Sequence, residues 1–446
     1  MGRTLPFVQV PIFAFLVSLL VLPASSQNMS RLDREHAETM LEVVTSDVRK
    51  MYYDPKLHGL DWQAKVRDAK AHIAQTTSFD EAYLQIAAVL EALDDSHTFF
   101  IPPRRSARVD YGWRWDMFGD RCYVTDVRPG SDAQAKGIRP GDELLTIEGY
   151  KPERESLWKI SYALSLSPQS ALEAVVREPS GKMRRIKVEA KITKTADVRD
   201  FDDMTGRDLW RTQLQREELR RLARVRYQEL GDALMIVKVP DFSQPPLEIQ
   251  EVMEKARKHK SLIIDLRDNP GGYEESLQAW LGCLFSSDVK IADRVGRDKT
   301  TPLMAQSNHH TVFGGKLFVL IDNGSASAAE TLSRVVQIEK RGTLLGDRTS
   351  GMTMEAEISR GQTGINPVYT FGAMVTIAKL VMPDGKSLER VGVSPDEVVL
   401  PTAQDLANGS DPAMSRAAQL AGVTIDPHDA GKLFPHDWPR RPAYMF

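Results

Sequence analysis

Two stretches rich in small residues follow apolar runs in this chain of 446 residues. SLIIDLR leads into DNPGG (268–272), and KLFVLID leads into NGSASAAE (323–330). In the second, Ser325 and Ser327 each offer a hydroxyl where a strand gives way to a helix. A helix N-terminus supplies unpaired N–H groups and a positive dipole end, which suit a developing oxyanion. The same place suits a capping serine. The glycines of DNPGG can bring backbone N–H groups close to a ligand, or simply make a tight strand-helix turn. Neither stretch contains a histidine or lysine to take a proton from a serine.

The whole chain narrows the possibilities. It carries 58 Lys and Arg against 61 Asp and Glu, so a near-neutral balance gives no support to a nucleic-acid or anionic-membrane partner. No G-x-x-x-x-G-K-[ST] loop occurs, which argues against nucleotide chemistry. Arg3 precedes the apolar run Ile12 to Leu22, and PASSQ follows, as in a secretory signal. The run is shorter than the roughly 20 residues that span a bilayer, so cleavage near Gln27 and an exported, periplasmic or extracellular chain without an integral span are expected. Cys122 and Cys283 fall in different predicted domains and are expected to be free and buried. No Cys/His cluster has metal spacing, and His309-His310 reads as a solvated loop, so no metal or other cofactor is expected.

The pattern changes along the chain. Residues 27–104 read as a helical domain, because MLEVVTSDVRKMYYD and EAYLQIAAVLEAL space apolar residues by three and four. LDDSHTFF then breaks the helical period. Residues 105–195 read as short strands and turns around DAQAKGI, with a hairpin across Pro179-Ser180-Gly181. Residues 196–230 read as a charged linker and helix with a solvated face. From 231 to 420 strands alternate with helices, which predicts a largely parallel sheet covered on both faces. Residues 421–446 form a tail with no legible role. In a parallel sheet of this kind, active groups gather at the carboxyl ends of the strands, where both DNPGG and NGSASAAE lie.

Taken in order, these pieces resemble a family. SDAQAKGIRPGDELLTIEG resembles a PDZ domain, whose usual carboxylate loop would correspond to YGWRWDMFG (111–119). A PDZ domain implies an extended protein C-terminus as ligand. IDLRDNPGG, GSASAAE, GDRTSG, VKVPDF and LERVGVSPDEVVLPT resemble the C-terminal processing proteases, serine peptidases with a crotonase-like or Clp-protease-like α/β core and an inserted PDZ domain. The resemblance implies a multidomain α/β protein that acts on peptides or unfolded C-terminal segments. It implies Ser327 as nucleophile, Ser325 as elbow packing, and the N–H groups of Gly272 and Ala328 as the oxyanion hole. The Ser-Lys branch carries a lysine where GDRTSGM has Met352, and a thioether takes no proton. The tricorn-type branch uses a Ser-His-Ser-Glu tetrad, and Ser96, His97, Ser327 and Glu389 match its places one by one.

The resemblance thus implies His97 as general base, with Ser96 holding the imidazole and Glu389 holding Ser96. A histidine base implies activity that falls as pH drops through roughly 6–7. Each residue alone has a plainer role: His97 could close a helix, and Glu389 could be a surface carboxylate. Three alternatives therefore stand beside an exported serine endopeptidase. One is an inactive PDZ protein that only binds peptides; one is hydrolysis of a non-peptide ester or amide; one is Lys379, in a strand-like run, as base. The oligomeric state is not legible.

Overall fold

The computed structural model describes residues 29–105, 107–194, 221 and 223–435. The expected signal peptide, residues 196–220 of the linker, and the last part of the tail from 436 lie outside the described residues. No helix among the described residues is long and apolar enough to cross a membrane. The chain divides into two compact units.

The first unit comprises the residues up to Arg105, Ser156–Gln169 and Ala356–Ile377. Its helices are Arg31–Met51, Trp62–Ile73 and Phe79–Glu91. Ala37, Met40, Leu41, Val44 and Val48 of the first repeat at helical spacing and are wholly buried. Ser30 and Ser78 cap their helices, accepting from the N–H groups of Asp33 and Glu81. The chain leaves the third helix through Asp94, in the left-handed region at φ 52°. It enters the Phe99–Ile101 strand, which pairs antiparallel with the first part of the long strand Tyr369–Val381. The helix Leu157–Leu166 also belongs to this unit, and Tyr162 Oη donates to the Phe100 carbonyl at 2.7 Å. Its sequence position, inside 105–195, had pointed instead to the neighbouring sheet.

The second unit is built on a six-stranded sheet. The order is Glu397–Val398, Thr343–Gly346, Lys316–Ile321, Ser261–Asp265, Leu234–Lys238 and Arg226–Leu230. All neighbours are parallel except the last pair. Successive residues face opposite sides, as the strand period demands. Met235, Val237, Leu262, Ile264, Leu317, Val319, Ile321 and Leu344 pack into one core with the crossover helices Pro246–Ala256, Glu274–Gly282 and Ala328–Ile338. Leu234, Ile236, Ile263, Phe318, Leu320 and Leu345 face the other core, with Ala413, Met414, Ala417 and Ala418 of the helix Pro412–Leu420. Both faces are covered, which is why these strands read as unbroken apolar runs.

Two segments differ from their sequence reading. Arg226–Leu230 is a strand, not the end of a charged helix. Its alternating side chains pair with Leu234–Lys238 across a turn at Gly231, which adopts φ 56°. In the tail, Val423, Ile425 and Phe434 pack against the second core, so the apolar residues there complete the sheet's cover. The same unit holds a five-stranded antiparallel sheet: Trp113–Phe118, Arg121–Val127, Glu143–Ile147, Ala171–Arg177 and Met183–Glu189. Trp113–Phe118 lies in a strand, so of the expected carboxylate loop only Tyr111, Gly112 and Gly119 lie outside regular structure. Both cysteines are free and buried, as expected.

Ile264 is fully buried at the centre of the parallel sheet. Ile264→Ala is expected to lower the stability of this unit by about 2–5 kcal/mol. Urea denaturation followed by fluorescence would read this, and an unchanged midpoint would contradict the packing described.

Candidate active site

Four loops of the second unit leave the same end of the parallel sheet. Val239 follows one strand, Leu266 to Gly272 the next, Asp322 to Ser327 the third, and Asp347 to Thr353 the fourth. Asn269 ties three of them. Its Nδ2 donates to the Val239 carbonyl at 2.8 Å, its Oδ1 accepts from Gly271 N–H at 2.8 Å, and its carbonyl accepts from Ala326 N–H at 2.9 Å.

Ser327 stands at the start of the Ala328–Ile338 helix with φ 53° and ψ −115°. A non-glycine residue in this region costs on the order of 1–3 kcal/mol and persists only where neighbours enforce it. The enforcing contacts are at its N–H, which donates to the Met352 carbonyl at 2.8 Å and to Glu330 Oε2 at 3.1 Å. Gly271, at φ 97°, lies against it: a Cβ there would sit 2.7 Å from Ser327 Cβ. Gly272, at φ 146°, bridges to Phe242, and a Cβ there would sit 2.5 Å from the Phe242 carbonyl oxygen. Both glycines of DNPGG are therefore required by close approach. Ser325 is buried. Its hydroxyl donates to the Leu266 carbonyl at 2.8 Å and accepts from Asp322 N–H at 3.0 Å, so it holds the turn together.

Glu330 organises the surroundings of Ser327. Its carboxylate is fully buried and also accepts from Gly351 N–H, Met352 N–H, Thr353 Oγ1 and Thr349 Oγ1. Thr349 Oγ1 in turn accepts from Val393 N–H at 2.7 Å, so its proton points to Glu330. Burial raises the Glu330 carboxyl above the usual range, and these hydrogen bonds oppose the rise. Glu389 joins the same assembly: its Oε2 accepts from Thr353 N–H at 2.9 Å, while Arg390 N–H donates to the Gly351 carbonyl at 2.7 Å. Met352 thus occupies the expected lysine position with its backbone bonded to Ser327 and to Glu330.

The five-stranded sheet also grips this region. Arg154 donates to Asn323 Oδ1 and to the Arg348 and Gly119 carbonyls, and Asn323 Nδ2 donates to Asp116 Oδ1 at 2.9 Å. Burial raises the carboxyls of Asp116 and Asp322, reinforced at Asp116 by the charges of Asp322 and Asp268 and at Asp322 by that of Asp268.

Ser96 and His97 lie in the first unit, Ser327 and Glu389 in the second. Within the first, Ser96 Oγ and His97 Nδ1 are 2.7 Å apart, and both residues are buried. Burial pushes the His97 imidazole down to about 4, partly offset by the charge of Asp95. Glu330, Asn269 and Asp95 were missed as supporting residues. Each is a single polar residue within a motif read for something else; only their burial sets them apart.

Glu330→Gln would turn an amide NH₂ towards N–H donors. A loss of about 1–3 kcal/mol in stability is expected, together with weakened protection of the Gly351 and Met352 amides in hydrogen exchange. Wild-type protection would contradict the network.

Comparison with known proteins bears on what this assembly does. Residues 233–399 match the model of peptidase family S41. The chain is 26% identical over 384 residues to carboxyl-terminal-processing peptidase 3, chloroplastic, of Arabidopsis thaliana, covering 78% of this chain and 66% of that protein. It is 26% identical over 384 residues to the chloroplastic C-terminal processing peptidase of Tetradesmus obliquus, covering 80% of this chain and 76% of that one. Mature CPAF superposes with a TM-score of 0.62 at 15% identity, over 87% of this chain and 98% of that one, which shows a shared fold. The paired glycine and serine loops thus lie within a region that matches peptidase family S41, in a chain similar to the C-terminal processing peptidases.

Proposed function

We propose that this chain is an exported serine endopeptidase in which Ser327 is the nucleophile and His97 its general base. The observation that carries the proposal is the enforced left-handed backbone of Ser327 beside two N–H groups, those of Gly272 and Ala328, that make no hydrogen bond among the described residues. Donors without an acceptor, next to a hydroxyl at a helix start, are what a tetrahedral oxyanion needs. Ser96 Oγ lies 2.7 Å from His97 Nδ1, and in this reading Nε2 takes the Ser327 proton. The base takes that proton as Oγ attacks the scissile carbonyl. It then returns it to the leaving amine, and water repeats the sequence on the acyl-enzyme. Glu389 supports Ser96 in this scheme and favours the imidazolium that forms. With Met352 unable to accept a proton, no lysine is required at the GDRTSGM loop.

The five-stranded antiparallel sheet, with its short helix Asp132–Ala135 stopped at Gly137, supports a PDZ domain within residues 105–195. A protein C-terminus added to its edge would be the ligand. The substrate class is accordingly peptide or unfolded C-terminal protein segments, met outside the cytoplasm if the N-terminal signal is cleaved.

Hydrolysis of unstructured peptides decides the main point. Ser327→Ala and His97→Ala are each expected to lower kcat by at least about 10²-fold. Unchanged turnover in both variants sinks the proposal. Peptide binding with no turnover, and no labelling of Ser327 by a fluorophosphonate, would make the chain an inactive binding protein instead. The pH profile is a separate check. His97 buried as the neutral base should keep kcat/KM level down to about pH 5 and lose it as His97 protonates near pH 4, well below the 6–7 window of an exposed histidine. The stability sign agrees: between the ordinary and the lowered value the unfolded chain binds the extra proton, so stability falls as pH drops through that window. Activity that appears only above pH 9 would exclude His97.

A further inference from the structure

The loop that carries Ser96 and His97 is held by a single carboxylate. Asp95 is 4% exposed and follows Asp94, which is exposed and takes no comparable role. Asp95 Oδ1 accepts from His97 N–H at 2.9 Å, Thr98 N–H at 2.7 Å and Thr376 Oγ1 at 2.9 Å. Its Oδ2 accepts from Thr98 Oγ1 at 3.1 Å. Tyr52, fully buried at the end of the first helix, donates to the same carboxylate. Thr98 Oγ1 also accepts from Thr376 N–H, and the Thr376 carbonyl accepts from Tyr53 N–H. The carboxylate thus fastens the Ser-His dipeptide to the first helix and to the long strand Tyr369–Val381.

We propose that Asp95 is the positioning residue of the base: it fixes the backbone of His97, and so the ring that Ser96 orients, and supplies a fixed negative charge that favours the imidazolium formed during catalysis. The inference rests on His97 being the base, as proposed above. The physics runs in one direction. A buried imidazole is a weak base because desolvation disfavours its charged form. An adjacent carboxylate restores part of that basicity, and Asp95 acts on His97 in this sense. The groups around the carboxylate decide how much of its charge is felt. Tyr52 is held neutral by burial, with Tyr53, Asp54 and His58 behind it. Ser96, Thr98 and Thr376 are uncharged. Five donors are spread over its two oxygens.

The test measures labelling of Ser327 by a fluorophosphonate, and peptide turnover, from pH 4 to 8 on the full chain. Asp95→Asn keeps the shape and removes the charge. It should lower kcat by about 10-fold with KM unchanged and move the acid limb down by about 1 pH unit, so that the drop in rate between pH 6 and pH 4 shrinks. Tyr52→Phe and Thr376→Val remove donors and leave the charge, so both should move the limb upward. If Asp95→Asn fails to fold by circular dichroism, these two variants carry the test. Wild-type chain that is not labelled at all defeats the assignment of Ser327 and His97. Labelled wild type with Asp95→Asn unchanged defeats Asp95 alone. Rates lowered equally at every pH, or an unmoved limb in Tyr52→Phe and Thr376→Val, would make Asp95 a scaffold only and overturn the proposal.

Discussion

Everything around Ser327 depends on one buried carboxylate. Glu330 sits three residues into the helix that Ser327 starts, and accepts from the N–H of Ser327 behind it and from Gly351, Met352, Thr353 and Thr349 beyond it. A carboxylate can be buried only if its lone pairs are met by donors. Here the donors come from two loops at neighbouring strand ends. Satisfying Glu330 therefore forces the loops together, and the same contacts hold Ser327 in a backbone conformation it would not adopt alone. Thr349 carries the linkage one step further to Val393, and Thr353 N–H carries it to Glu389. The strain at the serine and the placement of the distant glutamate thus have a common origin.

This explains how the lysine position can hold methionine without loss of the architecture. The contacts at Met352 are made by its N–H and carbonyl, not by its side chain. The loop's scaffolding role and its role as carrier of a base are separable, because only the second needs a particular side chain. With His97 as the proposed base, only the backbone requirement remains at this position.

The parallel sheet was legible because burial on both faces leaves unbroken apolar runs such as SLIID and KLFVLI, and the loops at their ends followed from that. DNPGG and Ser325 were legible in kind: glycines for close approach, and a serine for elbow packing. The strand Arg226–Leu230 was not, since an exposed edge strand of mixed charge has no apolar period to distinguish it from a solvated helix. The packing of the helix Leu157–Leu166 on Phe100 was not legible, because which neighbour a helix packs against is a long-range matter. Glu330 and Asp95 escaped for a related reason. Sequence shows a carboxylate and not its exposure, and Asp94 and Asp95 are adjacent letters with opposite environments.

The two buried carboxylates follow one design in two units. Each collects backbone N–H groups from a loop that carries a chemical group, and each returns a charge that such a loop lacks. They differ in what that charge meets. Glu330 faces amides and hydroxyls of neutral residues, so its effect is geometric. Asp95 lies two residues from the imidazole proposed to become charged, so its proposed effect is geometric and electrostatic together. Burial alone would leave His97 neutral but too weak a base; a carboxylate alone would leave it protonated. With both, the ring can stay neutral at rest over a wide pH range and still find its charged form stabilised when a proton arrives. In the proposed mechanism that balance is set by Asp95, buried beneath the loop that carries His97.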